Sequence, residues 1–183
     1  INYAISGERV WSYRALNLII HILSALVLFA IVRRTLLSER LRNTYARMAT
    51  PLALGSALIW MLHPIQTQAV TYVIQRCESM MGMFFLLTIY CAIRSWHSPS
   101  MTGWRVLSVI SFLFGIGSKE VIVVAPFVVG AYEWCFIRSS IREVLKRSWP
   151  LYAGYGAGIV ILIILVFSGG TIDSTLGKTL SQP

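Results

Sequence analysis

Six apolar runs, at about residues 15–32, 48–62, 79–93, 104–117, 121–137 and 150–167, follow one another with only short polar connectors between them. A bilayer offers backbone N–H and C=O groups no partners, so a continuous apolar run that crosses it has to satisfy them internally, as a helix of about 20 residues. The expected fold is therefore all-α, a polytopic membrane helix bundle. Six spans in 183 residues leave almost nothing for a separate soluble module, so a single transmembrane domain is expected. Hydrophobic residues make up 56% of the chain and the mean hydropathy is +0.69, more than one soluble core of this size needs. The runs at 48–62 and 104–117 are short for a bilayer core of about 30 Å, so the polar turns after them are expected below the membrane surface, held in protein around a recessed pocket.

Charge orients the bundle. Eleven of the sixteen Lys and Arg lie in three connectors: Arg33, Arg34, Arg40, Arg42 and Arg47; Arg94 and Arg105; and Arg138, Arg142, Lys146 and Arg147. The remaining five are Arg9, Arg14, Arg76, Lys119 and Lys178. An excess of cations in alternate connectors is the signature of cytoplasmic loops, which makes the other connectors outer ones. The net charge of +9 is thereby accounted for by topology rather than by a nucleic-acid partner, because the arginines fall in short loops and not along one polar face. Ile141, Val144, Leu145 and Trp149 follow the third connector at spacings expected of an interfacial amphipathic helix. The last span is expected to start at Pro150, with Gly154 and Gly158 forming a helix-packing seam, and a polar tail runs from Ser168 to Pro183. Cys77, Cys91 and Cys135 fit neither a disulfide framework nor a metal spacing, and Cys91 and Cys135, inside apolar runs, are assigned to packing. The chain starts at Ile1 with a polar stretch and reads as a fragment or a processed product.

Two polar patches stand out on the expected outer side. The connector His63 to Glu78 holds His63, Gln66, Thr67, Gln75, Arg76 and Glu78, and a second turn holds Lys119 and Glu120 inside an otherwise apolar stretch of about thirty residues. The plain account is a wet loop and a hairpin turn. The functional account is a cation site in which Arg76 and Lys119 meet a phosphate or carboxylate while Glu78 orients Arg76. His63 has no His, Asp or Cys at ligand spacing, so no metal site is expected, and a helix-terminal His ahead of Pro64 is the simpler reading. His21, one helical turn from Asn17, is read as a satisfied interior group, and His97 as a loop residue. No phosphate-binding loop, nucleophile elbow or paired outer Asp is present, so the residues alone define no catalytic constellation.

Three stretches taken in order carry a resemblance: N-L-I-I-H-I-L-S-A-L (Asn17 to Leu26), H-P-I-Q-T-Q-A-V-T-Y-V-I-Q-R-C-E-S (His63 to Ser79) and G-S-K-E-V-I-V-V-A-P (Gly117 to Pro126). Together they resemble bacterial multi-pass proteins of the GT-C glycosyltransferase superfamily, the membrane halves that often precede tetratricopeptide repeats. They are also similar to the transmembrane O-mannosyltransferases that modify cadherins in animals. The resemblance covers roughly Ile1 to Phe136.

It implies transfer of a sugar, typically mannose, from a polyprenyl-phosphate carrier to a hydroxyl of a protein or other acceptor. The lipid-linked sugar is then a donor substrate, and no cofactor or metal is implied. The setting would be a bacterial inner membrane or an endoplasmic reticulum membrane, with the site facing periplasm or lumen. The family's catalytic acid sits on the first outer loop, before the helix that matches Asn17 to Arg34, so the catalytic residue is expected to lie ahead of this chain, of whose loop only Glu8 is left. Downstream repeats are missing as well, and the piece by itself is expected to be inactive. Within this scheme Lys119 and Arg76 would face the lipid phosphate, while Glu78, Glu120, His63, Gln66, Thr67 and Gln75 would line the site for sugar or acceptor. The competing reading is a non-catalytic multi-pass module or a transporter fragment, for which a second copy of the His63 to Glu78 pattern would be expected and is not seen.

Overall fold

The computed structural model describes residues 10–64 and 76–180, with side chains from Arg14 onward except Arg76, 165–166 and 168–180. Every regular element among the described residues is helical. Helix α1 spans Val10–Leu36, a short α2 spans Arg42–Tyr45, and α3 spans Ala49–Leu62. Helices α4 (Arg76–His97) and α5 (Met101–Ser118) form an antiparallel hairpin. A 3-10 turn (Glu120–Val124), helix α6 (Ala125–Tyr132) and a π-helical turn (Glu133–Ile137) make up one composite span, and α7 runs over Ile141–Leu180.

Five of these segments are long and apolar enough to cross a membrane: Arg14–Leu36, Cys77–His97, Met101–Ser118, Glu120–Ile137 and Ile141–Ile164. Large apolar side chains such as Ile59, Phe127 and Phe167 stand exposed, each more than 70% accessible. A water-soluble domain seldom shows so much apolar surface, whereas lipid covers it without cost. The chain is an integral membrane protein.

The core lies between α4, α5, α6 and α7, where Ala92, Ile93, Phe112, Ile122, Ala125, Val129, Leu151 and Tyr155 are buried. Small residues set how closely the helices approach. A Cβ on Gly154 would lie 2.6 Å from Val109 Cγ2, and one on Gly158 2.9 Å from Leu113 Cδ2, so the expected glycine seam on α7 is the surface that meets α5.

Helix α3 packs on α1 at the edge of this core. Its length of about 21 Å falls short of a bilayer core of about 30 Å. At one end Arg33 Nε donates to Thr50 Oγ1 (3.1 Å), and at the other His21 Nε2 donates to the Met61 carbonyl (3.0 Å). That carbonyl is one of the last in α3, where no helical N–H remains to meet it, so His21 acts as a cap supplied by a neighbouring helix. The ring also stacks on Trp60. The interior role expected of His21 is what the structure gives it. Between Val10 and His21, α1 continues for about 16 Å beyond this contact, leaving the end of α3 recessed beside it.

Four expectations change. Pro150 does not start a helix: α7 begins at Ile141 and passes through it. In the adjoining turn a neighbouring helix adds a bond, Arg105 Nη2 donating to the Arg147 carbonyl (3.2 Å). The interfacial helix and the last span are thus one rod, which continues to Leu180 because no proline follows until Pro183. Cys135 is exposed, unlike the buried Cys91, because it lies on the outer face of the π-helical turn. His97 is the last residue of α4 and not a loop residue, its Nδ1 held at 3.0 Å from the Ile93 carbonyl.

Candidate functional site: an ion pair opposite the basic end

The three basic connectors gather at one end of the bundle. Arg40 donates to the carbonyls of Cys135 (2.7 Å) and Arg138 (3.1 Å), covering the last carbonyls of the composite span, and so joins the first connector to the third. Arg105 joins the second to the third through Arg147, and Arg94 lies 4.5 Å above the Trp104 ring. Cations against helix C-termini and aromatic faces are well placed electrostatically.

At the opposite end, Lys119 Nζ meets Glu78 Oε1 at 2.5 Å. These residues are 41 apart in sequence, and local structure brings each of them there. Glu78 sits in the first turn of α4, where exposed N–H groups favour a carboxylate. Lys119 caps the C-terminus of α5, where free carbonyls favour an ammonium. Gly115 governs the turn: a Cβ there would lie 1.9 Å from Ile122 Cδ1, so any side chain would have to push aside the buried Ile122 where it folds back over the end of α5. That reversal leaves Lys119 in extended backbone (φ −164°, ψ 134°), facing α4.

The pair is not enclosed in protein as the sequence led one to expect. The side chains of Lys119 and Glu78 are 42% and 49% exposed. Glu120 opens the 3-10 turn, exposed, and takes no part in the pair. Arg76 is the first residue of α4, two positions from Glu78, and its side chain lies outside the described residues. Gln66, Thr67 and Gln75 also lie outside them. His63 ends α3 in extended backbone (φ −63°, ψ 131°), as expected of a residue ahead of a proline, whose ring excludes the helical conformation from its predecessor. Among the described residues no group of three His, Cys, Asp or Glu could hold a metal ion.

One ionisable centre escaped the sequence reading. Glu133 is fully buried near the basic end. Its carboxylate accepts hydrogen bonds from Ser148 Oγ (2.5 Å) and Tyr152 OH (3.0 Å), and Arg138 Nε lies 3.6 Å away. Trp96 Nε1 donates to the same Ser148 hydroxyl (3.3 Å). A second buried chain runs nearby, with Tyr155 OH donating to Ser108 Oγ, which donates to the Thr88 carbonyl. The available signal was a lone acid inside an apolar run, five residues before an arginine.

Comparison with known proteins places residues 1–167 within the sequence family described as dolichyl-phosphate-mannose-protein mannosyltransferase. The chain is 26% identical over 178 residues to the protein O-mannosyl-transferase TMTC2 of Homo sapiens, covering 94% of this chain and 20% of that protein. It is 31% identical over 176 residues to TMTC2 of Mus musculus, covering 93% and 19% respectively. Over 178 residues it is 23% identical to TMTC3 of Homo sapiens, covering 92% and 18%. The chain therefore spans about a fifth of the length of these curated relatives. No solved structure matches it. With the match extending through the apolar spans and both ends of the bundle, the chain belongs to the dolichyl-phosphate-mannose-protein mannosyltransferase family.

Proposed function

We propose that this chain is part of the membrane domain of a glycosyltransferase that moves mannose from a polyprenyl-phosphate carrier to a hydroxyl of a protein acceptor. In this reading the end bearing Glu78 and Lys119 faces the periplasm or lumen, and the basic end faces the cytoplasm. The observation that carries it is the convergence of Lys119 and Glu78 at the end of the bundle away from the basic connectors.

In the transfer, the acceptor oxygen attacks the anomeric carbon and the bond from that carbon to the phosphate oxygen breaks. The electron pair stays on the phosphate, and the hydroxyl proton passes to a base. The leaving phosphate gains negative charge, so a fixed cation beside it stabilises the transition state more than the ground state. Lys119 has the chemistry for this role. An ammonium carries three N–H donors, and Glu78 occupies one. A half-exposed pair is also weak, so a phosphate can join or replace the carboxylate at little cost. Arg76, two residues from Glu78, would supply a second cation. The base belongs to the outer loop ahead of α1, by resemblance.

In the full-length protein, Lys119→Ala and Arg76→Ala should each lower mannosyl transfer from a polyprenyl-phosphate donor by at least about tenfold, the loss expected when a transition-state charge contact is removed. Membrane insertion should be unchanged. Wild-type transfer in both variants would end the reading.

A further inference from the structure

A groove of about 500 Å³ lies between α5 and α7, bounded by Arg105, Val106, Val109, Ile110, Pro150 and Gly154. Its floor is the close approach of Gly154 to Val109, and its walls are almost entirely apolar. Along α5 it extends from Thr102 past Arg105 to Ile110, about two helical turns toward the middle of the span, with Arg105 on its wall near the basic end.

The state of Arg105 decides what such a groove can hold. A guanidinium has five N–H donors, and here one of them meets the Arg147 carbonyl. Its Nε is shielded from solvent and has no acceptor among the described residues. Among the described residues no carboxylate pairs with it: Glu133 and Glu143, the acids of the third connector region, both lie against Arg138. An apolar channel with an under-used cation on its wall near the basic end matches an amphiphile with an anionic head and a hydrocarbon tail. The ten other Lys and Arg of the basic connectors add a field that favours an anionic head over a zwitterionic one.

We infer that this groove binds an anionic glycerophospholipid of the leaflet at the basic end, with its phosphate on Arg105 and one acyl chain against Val106, Ile110 and Pro150. The site lies at the opposite end of α5 from Lys119 and does not depend on the transfer reading. It gives α7, which meets the rest of the bundle largely through α5, a second means of attachment.

The test uses the full-length protein purified in mild detergent, with phosphatidylglycerol or phosphatidylcholine of identical chains added and bound lipid counted by native mass spectrometry. Wild type should retain phosphatidylglycerol in preference to phosphatidylcholine. Arg105→Gln should lower that retention about fivefold, the typical worth of one cation at an anionic lipid surface. Arg105→Lys should keep most of it. Ile110→Trp fills the groove while leaving the cation, and should lower retention as well. Equal retention of the two lipids by wild type, or unchanged retention in Arg105→Gln or in Ile110→Trp, overturns the inference. So does complete displacement of phosphatidylglycerol by millimolar inorganic phosphate, which would mean an anion site without a chain. If Arg105→Gln does not survive purification, Ile110→Trp decides the matter alone.

Discussion

The two ends of the bundle each hold a carboxylate beside a cation, and they treat it in opposite ways. Glu78 meets Lys119 in an open pair with both side chains more than 40% exposed, and Glu133 is sealed among Ser148, Tyr152 and Arg138. Solvent or headgroups can replace each partner of the open pair, so it contributes little to stability and is free to exchange. The sealed carboxylate has no such substitute, and every bond it accepts ties the composite span to α7. Local packing thus leaves one end exchangeable and the other fixed.

Breaking the sealed end should give the largest effect. Glu133→Ala removes the acceptor shared by Ser148 and Tyr152 and leaves Arg138 without its buried counter-charge, a change worth roughly 3–5 kcal/mol when an interior pair loses one member. The unfolding midpoint of the full-length protein in detergent should fall sharply. Glu133→Gln also removes the charge opposite Arg138 but keeps a carbonyl acceptor for Ser148 or Tyr152, so it should cost less than Glu133→Ala by on the order of 1 kcal/mol, the worth of a hydrogen bond. If both substitutions cost the same, charge and not hydrogen bonding holds this end, and the contrast between the ends has to be redrawn.

Next in size is Gly115→Val. The added carbons collide with Ile122, which is fully buried, and crowd Phe84 Cβ, so overpacking should cost about 1–3 kcal/mol and displace the turn that carries Lys119. Adding Ile122→Ala to the same chain should recover much of the loss by making room. Cysteines replacing Glu78 and Lys119 should be joined readily by a short bifunctional thiol reagent in wild-type background and poorly with Gly115→Val. Equal cross-linking would show that the turn holds its place without the glycine.

Much of this arrangement was legible beforehand, and the reason is physical. Apolar runs and basic connectors are local signals, and they were enough to foresee a polytopic helix bundle and to put Glu78 and Lys119 at one end. Pro64 announces the end of α3 by its effect on His63, and the spacing of Asn17 and His21 announces an inward face. What stayed hidden depends on contacts between distant helices. Glu133 sits in a run whose hydropathy swamps one acid, and its partners Ser148 and Tyr152 lie 15 and 19 residues away on another helix. The continuation of α7 through Pro150 was hidden as well, because a proline at the head of an apolar run ordinarily marks the start of a helix. The exposure of the Glu78–Lys119 pair could not be read from the lengths of the spans alone.

The smallest expected effect on stability is also the most discriminating for function. Lys119→Ala and Glu78→Ala should each change the unfolding midpoint little, with a coupling of about 0.2–1 kcal/mol in a double-mutant cycle that shrinks as salt is raised. Transfer should behave differently. If Lys119 serves the carrier phosphate, Lys119→Ala leaves Glu78 as a bare carboxylate facing that phosphate, and the repulsion adds to the lost attraction. Removing Glu78 as well should then restore part of the transfer, so the double variant outperforms Lys119→Ala alone. If Lys119 serves only to hold Glu78 in place, the two single variants should lose transfer equally and the double variant should regain nothing. The sign of that one comparison separates a cation that meets substrate from one that completes a helix hairpin.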